Sequence, residues 1–146
     1  AGMAVSHILG VKGRNVFTVR ATDTVEAVAK ILGEKRIGAV VVTDGKGHIE
    51  GIVSERDVVR HVASDGAAAL HKKISTVMTS NVHTCEDGDS EQELMALMTA
   101  RRIRHLPVVK DGKLDGMISI GDVVKYRIEA IEREAEDMKA YIAGAV

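Results

Sequence analysis

Tryptophan is missing from this 146-residue chain, and its few other aromatic residues reach only 2%. The core must therefore be filled by Val, Ile, Leu, Met and Ala, and any bound ring must lie between aliphatic side chains. A single cysteine, Cys85, excludes an internal disulfide and fits a reducing cytoplasm. Net charge is −1, so nothing favours broad attraction to nucleic acid or to an anionic membrane. No apolar run is long enough to span a bilayer. No secretory leader is expected, and Ala1 and Gly2 before Met3 read as an expression scar. What is present is a 45% hydrophobic, 28% charged composition, normal for a globular protein. The length suits one domain, or two small halves sharing a core.

A duplication organises the chain. Asn15-Val16-Phe17-Thr18 recurs as Asn81-Val82-His83-Thr84, an offset of 66 residues from Thr18 to Thr84. The same offset carries Ile8 to Ile74, Val11 to Val77, Asp23 to Asp89, Arg36 to Arg102 and Ile37 to Ile103. One residue is then lost in a turn, where Asp44-Gly45-Lys46-Gly47-His48 shortens to Asp111-Gly112-Lys113. Beyond it, Gly51-Ile52-Val53-Ser54-Glu55-Arg56-Asp57 aligns with Gly116-Met117-Ile118-Ser119-Ile120-Gly121-Asp122.

Each copy predicts the order β-α-β-β-α. A short strand (Val16 to Val19; Val82 to Cys85) leads to Asp23 or Asp89, followed three residues on by Glu26 or Gln92, a capping-box pattern. The helix that follows carries Val25, Val28, Ile31 and Leu32 on one face, or Leu94, Leu97 and Met98 in the second copy. β-Branched runs, Ala39 to Thr43 and Leu106 to Val109, then pass through Asp-Gly turns into further strands. A second helix begins just past Ser54 or Ser119. The fold class is α/β (α+β): repeat 1 over 5–63, a linker over 64–73, repeat 2 over 74–127, and a C-terminal helix extension over 128–146. Neither repeat alone buries much surface, but two related by a pseudo-two-fold axis can share a core.

The recurrent Gly-x-x-Ser-x-x-Asp places a serine where a strand becomes a helix and an aspartate in the first helical turn. Free N–H groups and the positive end of the helix dipole gather there, which suits anions and hydroxyl-rich ligands. A carboxylate at that point can accept from both hydroxyls of a ribose. The plainer alternative is a helix cap, with Ser54 or Ser119 as N-cap and Asp57 or Asp122 complementing the dipole.

GIVSERD and GMISIGD, each ending a copy of the unit after an Asp-Gly hairpin, resemble the cystathionine-β-synthase (CBS) domain family, and the tandem resembles a Bateman module. The likeness covers about Ile8 to Arg127. It implies an adenosine ligand between the repeats: AMP first, with ADP, ATP, NAD(H) or S-adenosylmethionine as other members of the class. The resemblance assigns the ribose to the Ser-x-x-Asp aspartate, and the adenine to the residue ending the first strand and the second-strand backbone. Carried over, one site would use Thr18, the Gly38-Ala39-Val40 backbone, Ser54 and Asp57. The other would use Thr84, the Arg104-His105-Leu106-Pro107 segment, Ser119 and Asp122.

The copies differ where phosphate would go. Arg104 and His105 stand where the first copy has Gly38 and Ala39, and Arg56 stands where the second has Gly121. Across a pseudo-dyad these cations could converge on one space, as phosphate requires. Lys12 and Arg14 are weaker candidates for the same work, and a solvated surface position is the plain reading of each charge. Gly38 and Ala39 also leave room for a larger ligand or a second nucleotide half.

Other signals point away from catalysis and metal. The histidines show no C-x-x-C or H-E-x-x-H spacing. Cys85 reads as a small core residue, and no Gly-x-Ser-x-Gly elbow or P-loop occurs. From about Asp122 the chain stays helical beyond the repeat, with Ile128, Ile131, Ala135, Met138 and Ile142 spaced 3, 4, 3, 4. That helix either packs back on its own module or meets a second subunit; the resemblance, to a family whose pairs commonly dimerise, favours a homodimer. The expected function is a non-catalytic cytoplasmic sensor of adenine-nucleotide or NAD(H) status, signalling to an unknown partner protein without nucleic acid or membrane. The alternative is a structural or docking module with vestigial clefts.

Overall fold

The computed structural model describes residues 3–144. In the first half, helix α1 (Ala4–Lys12) precedes strand β1 (Thr18–Val19), helix α2 (Val25–Lys35), strands β2 (Ala39–Thr43) and β3 (Ile49–Ser54), and helix α3 (Glu55–Asp65). β2 lies between β1, which runs parallel to it, and β3, which runs antiparallel, and its five residues Ala-Val-Val-Val-Thr are all buried. The second half contains helix α4 (Glu91–Arg101), the antiparallel pair β4 (His105–Lys110) and β5 (Lys113–Ser119), and helix α5 (Ile120–Ile142). Short 3-10 turns at Gly66–His71 and Ile74–Thr76 join the halves. This is the duplicated α+β architecture with an extended last helix; Ala145 and Val146 of that extension lie outside the described residues.

Two local expectations are corrected. The strand expected at Val82 to Cys85 does not form, and only Cys85 is paired. Its N–H donates to the Pro107 carbonyl at 3.0 Å, and its carbonyl accepts from Val109 N–H at 2.9 Å. In the first copy Val41 N–H donates to the Phe17 carbonyl at 3.3 Å. Its counterpart is Pro107, which has no N–H to offer, so the ladder is cut short.

The helix caps also sit one residue later than expected. Thr24 accepts from Ala27 N–H at α2, and at α4 Ser90 forms a full capping box with Glu93. Asp23 and Asp89 instead accept from Arg20 and Glu86 N–H at 2.8 and 2.9 Å, closing the turn before each helix.

The turns follow the sequence more closely. Asp111 and Gly112 both take positive φ (53° and 76°), as a two-residue type I′ hairpin requires.

The cores explain why the halves are inseparable. Val5, Ile8 and Leu9 of α1, from repeat 1, are buried with Leu94, Met98, Leu106, Val108, Ile118 and Val123 of repeat 2. Reciprocally, Ile74 and Val77, which open repeat 2, are buried with Val25, Val28, Leu32, Val40, Val42 and Val53 of repeat 1. Each repeat therefore lends its opening segment to the other. The motif glycines make room for the exchange. A Cβ on Gly116 would lie 2.8 Å from Leu9 Cδ1, and one on Gly51 would lie 2.6 Å from Met78 Sδ and 3.0 Å from the Thr79 carbonyl. Ile52 and Thr79 exchange both backbone hydrogen bonds at 3.0 Å, fixing the crossing chain against β3.

Leu9→Ala should destabilise the protein by about 2–5 kcal/mol, the usual loss for a buried leucine. Hydrogen exchange should accelerate more at Leu106 to Val109 than at Val40 to Val42; the opposite order would refute the exchange of segments.

Candidate functional site

Both Ser-x-x-Asp motifs form reciprocal caps. Ser54 and Ser119 accept from the N–H groups of Asp57 and Asp122 at 3.3 and 3.1 Å, while those carboxylates accept from the serine N–H groups at 2.8 and 2.9 Å. The cap reading and the ligand reading are thus compatible, since an ionised carboxylate offers about four lone-pair sites. The remaining partners differ. Asp57 Oδ2 also accepts from the Ser54 hydroxyl at 3.0 Å, and Oδ1 accepts from Arg60 at 2.7 Å. Asp122 Oδ2 accepts from Lys12 Nζ at 2.7 Å. Burial pushes the Asp122 carboxyl up, but Lys12 and the Ser119 N–H outweigh it and hold it below its ordinary value.

A cleft of about 1010 Å³ opens beside Asp57, lined by both halves. Repeat 1 contributes Gly38, Ile52, the Ser54–Asp57 turn, Val59 and Arg60; the crossing chain contributes Thr79 and Asn81 to His83; repeat 2 contributes Arg102 to His105, Ser119 and Ile120. Of the residues expected at a site, Gly38, Ser54, Arg56, Asp57, Arg104, His105 and Ser119 line this space. Thr18 and Thr84 are exposed but do not line it, and Ala39, Val40, Leu106 and Pro107 are buried in their strands. Asp122 and Lys12 face each other, and Arg14 is spent on Asp87 and Asp115, at 3.1 and 2.5 Å.

The room expected at Gly38 is already filled: a Cβ there would lie 3.1 Å from the His105 ring, which crosses from the other repeat. Burial, then the nearby Lys12 charge, pushes the His105 pKa below its ordinary value, which disfavours the charged ring. Cys85 is buried, and its thiol is pushed up to about 12, first by burial and then by Asp89, Asp87 and Glu86, which leaves it unreactive.

Sequence reasoning missed Arg60, Arg102 and His83. Arg60 had a signal, three residues beyond Asp57 on one helical face. Arg102 and His83 had none, because only the crossing of the halves brings them to the cleft.

Chemically, four arginines (Arg56, Arg60, Arg102, Arg104) line the cleft together with two acids at the start of α3, Glu55 and Asp57. Aliphatic walls come from Ile52, Val59, Val82, Ile103 and Ile120. Such a space offers phosphate donors, hydroxyl acceptors and a slot for a flat apolar ring. Among the described residues, no group of three or more His, Cys, Asp or Glu side chains is placed to hold a metal ion, and no helix is long and apolar enough to cross a membrane.

Comparison with known proteins agrees with this architecture. The family model for the CBS domain matches twice, at residues 6–64 and 74–129. The mitochondrial CBS domain-containing protein CBSX3 of Arabidopsis thaliana is 33% identical over 96% of this chain and 72% of its own length. The crystal structure of a CBS-domain protein from Agrobacterium tumefaciens is 47% identical, with a TM-score of 0.81 over 84% of this chain and 92% of its own. A CBS domain protein from Pyrobaculum aerophilum, solved in complex with AMP, is 32% identical, with a TM-score of 0.72 over 81% of this chain and 88% of its own. The duplicated unit, its exchanged core and these matches lead to one conclusion: the chain belongs to the CBS domain family, as a tandem pair of its repeats.

Proposed function

We propose that this protein is a non-catalytic regulatory module that binds a phosphorylated adenosine ligand, AMP foremost, in the cleft beside Asp57. The observation that carries the reading is the company Asp57 keeps. One carboxylate at a helix start, suited to ribose hydroxyls, shares its cleft with four arginines and an aliphatic wall. The AMP complex of the Pyrobaculum relative supports the same ligand class. ADP, ATP and NAD(H) satisfy the same chemistry with more phosphate. S-Adenosylmethionine carries a net positive charge and no phosphate for the four lining arginines to bind, so it suits this cleft less well. The aspartate acts by accepting hydroxyl protons, the arginines by charge-assisted hydrogen bonds to phosphate oxygens.

Sensing would follow from differential affinity. The cleft draws on both repeats, so a ligand that bridges them favours one relative arrangement. α3 grows directly out of the ligand turn and α5 out of its repeat, so their outer faces would report that arrangement to a partner protein. The proposed compartment is the cytoplasm, although the Arabidopsis relative is named as mitochondrial.

We also propose that the partner across those helices is a second copy. Val59 and Val124 hold equivalent positions on α3 and α5, and both are exposed. Ile128, Ile131, Met138 and Ile142 continue the apolar seam of α5, each at least half exposed, so this stretch of the helix, unlike its first turns around Val123, does not pack back on its own module. A projecting helical stretch of only about fifteen residues is marginal alone and calls for a facing surface. Two pseudo-symmetric helices per chain can supply it through a two-fold interface.

Calorimetry should show AMP binding that Asp57→Ala weakens by more than about tenfold, as for loss of hydrogen bonds to a charged group. Unchanged affinity in a folded variant would refute the ribose role. Failure of AMP, ATP, NADH and S-adenosylmethionine all to raise the melting temperature would favour the docking reading instead. Sedimentation should find a dimer that the double variant Ile131→Asp, Met138→Asp converts to monomer; a monomeric parent protein would exclude the interface.

A further inference from the structure

The duplication supplies two ribose-type aspartates, but the structure treats them unequally. Lys12 reaches Asp122 Oδ2 at 2.7 Å and also donates to the Met117 carbonyl of β5 at 3.1 Å. Its root is fixed, because Lys12 ends α1, whose Val5, Ile8 and Leu9 are buried in the core of the second repeat. The counterpart of Lys12 in the second copy is Met78, which lies against Gly51 and carries no charge to offer Asp57. Asp57 is instead paired with Arg60, which stands one turn along the same helix with its side chain 74% exposed and lines the cleft itself. Arg60 can leave Asp57 for a ligand phosphate; Lys12 is tied at two points.

We infer that Lys12 is an internal occupant of the second ribose position, which closes the Asp122 side to nucleotide and leaves the Asp57 cleft as the single binding site of each chain. This rests on the nucleotide reading proposed above. A ribose hydroxyl arriving at Asp122 would have to replace a charged donor with a neutral one, a weaker exchange. It would also take from the ammonium the carboxylate that now pairs with it.

Calorimetry with AMP on the parent chain and five variants tests this. The parent chain should bind one equivalent per chain. Lys12→Met, which copies the residue at the equivalent position and keeps the aliphatic stem, should bind two. Asp57→Ala should lose the parent site by more than about tenfold. Lys12→Met combined with Asp57→Ala should regain one equivalent, and adding Asp122→Ala should remove it. Lys12→Gln serves as a second opening variant if Lys12→Met melts early. Two equivalents on the parent chain, or one on both folded opening variants, would overturn the assignment. Absence of AMP binding in every protein would instead overturn the nucleotide reading and this inference with it.

Discussion

The exchange of opening segments is the constraint on which the rest of the structure depends. A β-α-β-β-α unit of about sixty residues is near the lower limit for an independent core. Here neither unit closes its own: Leu9 and Ile8 complete the second core, while Ile74 and Val77 complete the first. The glycine of each Gly-x-x-Ser-x-x-Asp motif belongs to this exchange before it belongs to any ligand. Gly51 and Gly116 are buried strand positions where a side chain would strike the crossing segment. The serine and aspartate that follow are then delivered at a helix start whose position the crossing chain has already fixed.

That delivery explains why the cleft is composite. The crossing segment bonds to β3 at Ile52 and Thr79, then runs on to bring Asn81 and His83 beside the Ser54–Asp57 turn. The entrance of β4 arrives from the opposite side with Arg104 and His105. Backbone bonds hold both helix starts against both strand entrances: Glu55 N–H donates to the Gly38 carbonyl at 2.9 Å, and Ile120 N–H to the Arg104 carbonyl at 2.8 Å. Displacing one repeat against the other therefore moves the two helix starts relative to one another. The proposed sensing would use this coupling, with a ligand at the centre changing the placement of the outer helices.

The duplication, the strand runs and the start of each second helix were legible because they depend on local pattern: alternation, Asp-Gly turns and a repeat offset. The details that were not legible depend on a single atom or on distant contacts. One missing N–H at Pro107 abolishes a strand that the repeat pattern implies, and Thr24 or Ser90 outcompetes the neighbouring aspartate because that aspartate turns back to close a turn. The exchange of segments left no trace in residue pattern, since Ile8 and Ile74 align with each other whichever core they enter. For the same reason Arg102 and His83 could not be tied to the cleft, and Lys12, noted for its charge, could not be tied to Asp122.

Divergence after duplication has sorted the charges between the two sides. On the Asp57 side an acid from repeat 1 meets Arg104 and Arg102 from repeat 2, and those arginines have no carboxylate partner among the ion pairs of the described residues. On the Asp122 side the equivalent strand entrance is Gly38-Ala39, which carries no charge, and the nearby cations Lys12 and Arg14 are bonded to Asp122, Asp87 and Asp115. Cations already neutralised by carboxylates contribute little to an incoming phosphate, whereas unpaired guanidinium groups converging on one space contribute most. A symmetric ancestor would offer two equal half-sites. The present sequence gathers arginines without carboxylate partners on one side, where the proposed ligand would place its phosphate, and on the other forms an internal ion pair that ties α1 to the second repeat.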